Sequence, residues 1–190
     1  MTKEILINPI ENCIKEKNDK KYIILFDTLR NDFDKYILSL GKKEYAPAYV
    51  IRKDGVIHKF YDELYHSPIT NIEKINKNSI FIALENSGKL LKEENKFINW
   101  CEEVINVKNV EEVINNKEFS FYEKYKNEQI ESLAHIITYL GNKYNLNLKQ
   151  INIKNREDNS IIFLKDIDAF SYSPNSTLNV ERLNSLIFKD

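Results

Sequence analysis

Cysteine, glycine, proline, histidine and arginine are all scarce in this 190-residue chain. The two cysteines, Cys13 and Cys101, stand far apart with no Cys-x-x-Cys spacing, which fits a reduced compartment and buried thiols rather than a disulfide. No uninterrupted apolar run approaches the roughly 20 residues needed to span a bilayer. The opening residues, Met1 to Pro9, have too short an apolar part for a secretory signal and lack a small-residue cleavage site, so synthesis in the cytoplasm is the expectation. The basic residues are nearly all lysine, with Arg30, Arg52, Arg156 and Arg182 as the arginines, and the formal charge is −1 with a pI near 6.4. That balance offers no field to draw the chain to nucleic acid or anionic lipid. Internal repeats and low-complexity segments are absent.

What the chain does contain is ordinary for a folded protein. Hydrophobic residues make up 42%, aromatics 12% and charged residues 30%. A disordered chain would have too little apolar surface to bury, and 190 residues suffice for one well-cored domain. We expect a lead-in over residues 1–20 and one domain over 21–190, with an insertion at about 89–122.

Hydrophobic periodicity places the elements. Tyr22 to Phe26 is a short apolar run rich in β-branched residues and predicts a buried central strand. Thr28 is a candidate cap for a helix over about 29–40, where Leu29, Phe33, Tyr36, Ile37 and Leu40 share a face and Gly41 stops the helix. Ala48 to Arg52 and Val56 to Phe60 predict a hairpin around Lys53-Asp54-Gly55. Ser79 to Leu84 predicts an interior strand. The insertion is charged, with Phe97, Trp100 and Phe119 to Tyr122 as expected anchors to the body. Glu123 to Asn145 predicts a long helix with Ile130, Leu133, Ile137, Leu140 and Tyr144 on one side. Ile161 to Leu164 predicts a last strand and Val180 to Phe188 a last helix, capped by Asn179. Strands alternating with helices indicate an α/β fold with a mixed central β-sheet flanked by helices.

Three segments in order carry a resemblance: Tyr49-Val50-Ile51-Arg52-Lys53-Asp54-Gly55-Val56-Ile57, then Tyr65-His66, then Asn76 to Asn86 with its Ser79-Ile80-x-Ile82-x-Leu84-x-Asn86 pattern. Phe97-Ile98-Asn99-Trp100 and Tyr125-x-x-x-Gln129-x-x-x-Leu133 add to it. This set resembles the N-acetylmuramoyl-L-alanine amidases and peptidoglycan-recognition proteins, over residues 21 to about 188.

The resemblance implies one zinc, held by two histidines and a third ligand that is His, Cys or Asp, with a position open for the attacking water. The first ligand position falls at Phe26, beside Asp27; the second near Leu164; the third at Ser173, before Pro174. The family's catalytic Tyr or Glu falls at Pro47. None of Phe26, Leu164 and Ser173 matches the ligand pattern, and no histidine or cysteine occurs after His135. The expectation is therefore no zinc and no other cofactor.

A rebuilt zinc site would need His58, His66 and His135 to converge. His58 alternates with Ile57 on the hairpin, which predicts an outward side chain, and His135 fits a packed or half-exposed helical residue. The resemblance makes Tyr49, Tyr65, His66 and Asn78 candidates for holding sugar and peptide in a groove. The plain alternatives stay open: His66 as a loop residue fixed by Tyr65 and Pro68, and Asn78 and Asn86 as turn chemistry. Asp27, Asp166 and Asp168 follow no metal-binding spacing, and Ser171-Tyr172-Ser173 has no histidine base nearby. The resulting reading is an amidase-like domain that has lost hydrolysis and serves as a structural or binding module, with a phage particle or tail assembly as its expected home. A protein partner or oligomer is expected. Peptidoglycan binding, and an active amidase with an unorthodox site, are the alternatives.

Overall fold

The computed structural model describes residues 5–115, 118–151, 159–164, 174 and 177–188. The chain runs through β1 (Ile5–Ile7), β2 (Tyr22–Asp27), α1 (Phe33–Leu40), β3 (Tyr49–Ile51), β4 (Ile57–Lys59), α2 (Glu73–Asn78) and β5 (Ser79–Leu84). It continues through β6 (Lys89–Glu93), β7 (Lys96–Ile98), β8 (Val104–Ile105), β9 (Val110–Asn115) and β10 (Glu118–Glu123), then α3 (Asn127–Tyr144), β11 (Ile161–Phe163) and α4 (Val180–Ile187). Among the described residues the strands form two sheets, of order β1-β4-β3-β5-β2-β11 and β8-β7-β6-β10-β9.

In the first sheet β3, β5, β2 and β11 run parallel, and β4 turns back antiparallel to β3. The expected strands and hairpin all lie here. Ile23, Ile24, Leu25, Ile80, Ile82 and Leu84 are fully or almost fully buried, as an interior strand covered on both faces requires. Gly55 takes φ +84°, donating its N–H to Arg52 O at 2.9 Å, so the hairpin turn uses glycine for a conformation that other residues resist.

The lead-in is more ordered than expected. Its charged appearance hides Ile5–Ile7, which pairs parallel with β4 as the sheet edge, and Ile14, which bridges to His66. The first helix starts four residues later than predicted. Leu29 turns left-handed at φ 56°, the Thr28 hydroxyl accepts from Arg30 N, and Asp32 is the cap, accepting from Lys35 N at 3.1 Å. Gly41 ends α1 in ordinary helical geometry, φ −60°.

The insertion forms the second sheet. Leu90, Ile98 and Ile105 bury themselves there, and Phe97 stacks on Phe121 with ring centres 5.1 Å apart. Phe119, expected as an anchor, remains exposed, and Trp100, also exposed, is tied to the body by its Nε1–H, which Leu29 O accepts at 2.8 Å. Glu123, expected to open the long helix, instead ends β10 by pairing with Val110 of β9, and α3 begins at Asn127. The apolar face of α3 is as predicted, with Ile130, Leu133, Ile137 and Leu140 buried, and Asn179 caps α4 by accepting from Arg182 N. No described helix is long and apolar enough to cross a membrane.

The hairpin glycine supplies a stability test. A Cβ on Gly55 would lie 2.7 Å from Glu128 O of α3, in addition to the strain of its φ. Gly55→Ala is expected to cost roughly 2–4 kcal/mol in urea unfolding. Gly41→Ala, whose Cβ meets nothing closer than 3.6 Å, should be neutral or stabilising by up to about 1 kcal/mol.

Candidate functional site

Parallel strands end at one edge, and ligands of α/β sheets gather outside such ends. Here the register Ile51–Leu84–Asp27 defines that edge, and the row just inside it is Val50–Ala83–Phe26, with Leu164 next in sequence after Phe163, the partner of Leu25. Alternation sends Phe26 to one face and Asp27 to the other. Phe26 is buried and meets Phe81 edge-on with ring centres 6.5 Å apart, and Leu164 is also buried. Asp27 is buried and accepts the Tyr125 hydroxyl at 2.7 and 2.9 Å.

Beyond this row the edge is a buried polar network that sequence reasoning missed. Lys53 Nζ donates to Glu123 Oε1 at 2.6 Å and to Asn31 Oδ1 at 2.5 Å. Glu123 Oε2 accepts from Ser87 N, Asn86 Nδ2 donates to Glu123 O, and the Glu85 carboxylate accepts from Lys53 N. Gln129 of α3 donates to Ile51 O and Glu85 O. Burial pushes the Glu85 carboxyl above its ordinary range, and the nearby Lys53 and Arg52 only partly oppose it. The signal available in sequence was weak: single charges next to Asp-Gly and Asn-Ser turns, indistinguishable there from surface residues.

The groove candidates Tyr65, His66 and Asn78 lie at one sheet edge, and it is not the edge that carries Asp27. Because β4 runs against β3, the loop that follows it lies at the opposite edge, about 17 Å from the Asp27 end at ~3.3 Å per residue along β2. His66 sits there, buried, with Asn18 Nδ2 3.2 Å from its Nδ1. Burial, followed by the charge of Lys20, lowers its pKa. Lys20 is itself buried, donates to Tyr65 O and Lys77 O, and is lowered to about 8 by that burial. Tyr65 is half-buried at this site, and Asn78 ends α2, its carbonyl accepting from Lys21 N. Asn76 and Asn86 serve turns and caps.

Tyr49 is a core residue of β3, with its hydroxyl donating to the buried Glu63 carboxylate, which also accepts from Lys59 Nζ at 2.9 Å. The outward side chain expected of His58 is contradicted. It is buried because α1 covers that face: its ring lies 4.4 Å from Phe33, and its Nδ1 meets Asn8 Oδ1 at 2.7 Å. Burial, with Arg52 nearby, lowers its pKa.

These positions decide whether a zinc ion fits. His58 shares the row of Phe26 but lies three strands away, roughly 14 Å at ~4.8 Å per strand. His66 belongs to the other edge, and His135 is half-buried on α3. Among the described residues no three His, Cys, Asp or Glu side chains gather to hold a metal. Phe26 and Leu164 have no donor atom to offer, so the two described ligand positions do not fit zinc. Ser173, Asp166 and Asp168 lie outside the described residues.

A mixed sheet covered by helices, with loops gathered at the ends of its parallel strands, is the architecture of the peptidoglycan amidases. The chain belongs to the N-acetylmuramoyl-L-alanine amidase family, which it matches over residues 16–162. Among solved structures it is similar to the amidase LysC from Clostridium intestinale, at 17% identity, covering 97% of each chain with a TM-score of 0.57. The amidase AmiD from E. coli, solved with anhydro-N-acetylmuramic acid-L-Ala-D-gamma-Glu-L-Lys, gives a TM-score of 0.62 at 14% identity, covering 90% of this chain and 59% of AmiD. The Staphylococcus aureus hydrolase AmiA gives 0.58 at 12% identity, covering 98% and 82%. At these identities the likeness to solved structures shows the fold alone. No curated protein is matched by sequence.

The Tyr49–Glu63–Lys59 cluster makes a pH prediction. Burial alone would raise the Glu63 carboxyl, but hydrogen bonds from Tyr49 and Lys59 bring it below its ordinary value of 4.5. A carboxylate depressed in the folded state stabilises above its unfolded pKa, and that stability is lost as pH falls through the lower folded value. Glu63→Gln should therefore cost roughly 3 kcal/mol at neutral pH. Urea melts across a pH series should show the gap to wild type narrowing below pH 4.5.

Proposed function

We propose that this chain is a catalytically inactive member of the amidase family, retained as a module that binds peptidoglycan. The observation that carries the proposal is the apolar row Val50–Ala83–Phe26–Leu164, two of whose members, Phe26 and Leu164, stand at positions that the resemblance assigns to zinc ligands. A phenylalanine and a leucine cannot polarise a carbonyl or lower the pKa of water, so hydrolysis by the family's route loses its means. The binding surface of a wall hydrolase is separable from that chemistry, because substrate contacts and core packing need no metal. Family membership supports peptidoglycan as the ligand class, and AmiD is a structural neighbour solved with a muramyl peptide.

A second reading is a structural role in a phage particle or tail assembly. It is supported by Ile114 and Phe119, directly paired across β9 and β10 and each 63% exposed, which present an apolar pair suited to another protein surface.

Metal content by mass spectrometry on untagged protein, together with a peptidoglycan turbidity assay on the same sample, tests the proposal. The expected result is zinc well below one equivalent, no clearing, and retention of the protein by purified cell-wall sacculi. One zinc per chain with clearing would restore the enzyme.

A further inference from the structure

Trp100 is the only tryptophan in the chain, and it is 62% exposed. Exposure of so large a side chain is normally accompanied by freedom of movement, but this one is held in place. Its Nε1–H donates to Leu29 O at 2.8 Å, and the Arg30 guanidinium lies over the ring, 5.0 Å from the centroid. The turn that carries it is built around the buried Asn99, whose Oδ1 accepts from Cys101 N and Glu103 N. Asn99 Nδ2 also donates to Glu103 Oε2 at 2.7 Å, and the same oxygen accepts from Asn31 N at 2.8 Å. Glu102 completes the turn with φ 63°. Two polar side chains and two left-handed residues, Leu29 and Glu102, thus fix an indole that folding leaves in water. An aromatic ring whose ordering is already met in the free protein loses little further entropy when something stacks on it.

Beside the indole is a cleft of about 440 Å³, lined by the apolar Leu91, Ile98 and Val104 and by the polar Glu93, Lys96, Asn99 and Glu102. That volume lies within the ~300–1,000 Å³ of small-ligand sites. Leu91 and Val104 are 59% and 57% exposed, so the apolar floor is open. Two carboxylates and one ammonium line the cleft, which disfavours an anion and supplies acceptors and a donor for hydroxyl groups. A neutral ligand with one apolar face and a hydroxylated edge fits these surroundings, and a pyranose ring has that shape. Position points the same way: Leu29 and Arg30 directly follow the end of β2, so the platform adjoins the sheet edge that carries Phe26 and Asp27.

We infer that Trp100 and the adjoining Leu91–Ile98–Val104 cleft form a saccharide subsite that stacks an N-acetylated amino sugar of the glycan strand. The inference rests on the wall-binding reading and gives it a contact surface at the β7–β8 turn, beside the sheet edge that carries Phe26 and Asp27.

The lone tryptophan makes its own probe. Wild-type protein is titrated with the tetramer of N-acetylglucosamine up to ~10 mM while indole emission is followed. Wild type, Trp100→Ala and the exposed-aromatic control Phe119→Ala are then pelleted with purified sacculi, with thermal melts confirming that each is folded. The expected result is a saturable emission change, with sacculus retention weakened roughly tenfold in Trp100→Ala and unchanged in Phe119→Ala. Emission that does not respond to the sugar, with Trp100→Ala pelleting as wild type does, overturns the subsite while leaving wall binding in place. An emission change without retention of the wild type by sacculi upholds the subsite and overturns the wall-binding reading.

Discussion

The structure depends on the parallel ladder of β3, β5 and β2, buried on both faces. Its side chains, among them Ile23, Leu25, Ile51, Ile80, Ile82 and Leu84, are excluded from water, and each such burial is worth about 1.5–3 kcal/mol. The ladder's register brings Ile51, Leu84 and Asp27 level and so gathers the loops at one edge. None of this stability requires a metal. Phe26 meeting Phe81 is an ordinary core contact, so this end of β2 is held by packing.

A buried ion pair fastens the second sheet to the first. Lys53 lies in the β3–β4 turn and Glu123 at the end of β10, and their contact at 2.6 Å crosses 70 residues of sequence. Breaking such a pair leaves a charge without water, a cost of roughly 3–5 kcal/mol. Glu123 also holds Ser87 N, and Glu103 holds Asn31 N and Asn99 Nδ2, so the insertion is tied to the loops following β2 and β5. These ties keep Trp100 fixed beside the edge rather than swinging on a loose appendage.

His58 and His66 show the chain using histidine for packing. Each bonds an asparagine of the N-terminal segment, Asn8 and Asn18, and each is held toward its neutral form by burial. The same segment supplies β1 and the Ile14 bridge, so it works as a strap across β4 and the loop after it.

By itself the sequence determined the elements whose signal is local. The Asp54-Gly55 hairpin, the interior strand Ser79 to Leu84, the apolar face of α3 and the Asn179 cap follow from turn chemistry and periodicity over a few neighbouring residues. The chemistry of single positions is equally local: no fold can give Phe26 or Leu164 a metal-donor atom. The tertiary structure decided what depends on partners far along the chain. Whether His58 faces water turned on α1 covering its face of the sheet. Whether Glu123 joined a strand or opened the long helix turned on pairing with β9. That Trp100 is both exposed and tied to the loop after β2 was decided by Asn99, Glu103 and Leu29. Local propensities are worth tenths of a kcal/mol per residue, and burial and long-range pairing, worth several times more, overrule them.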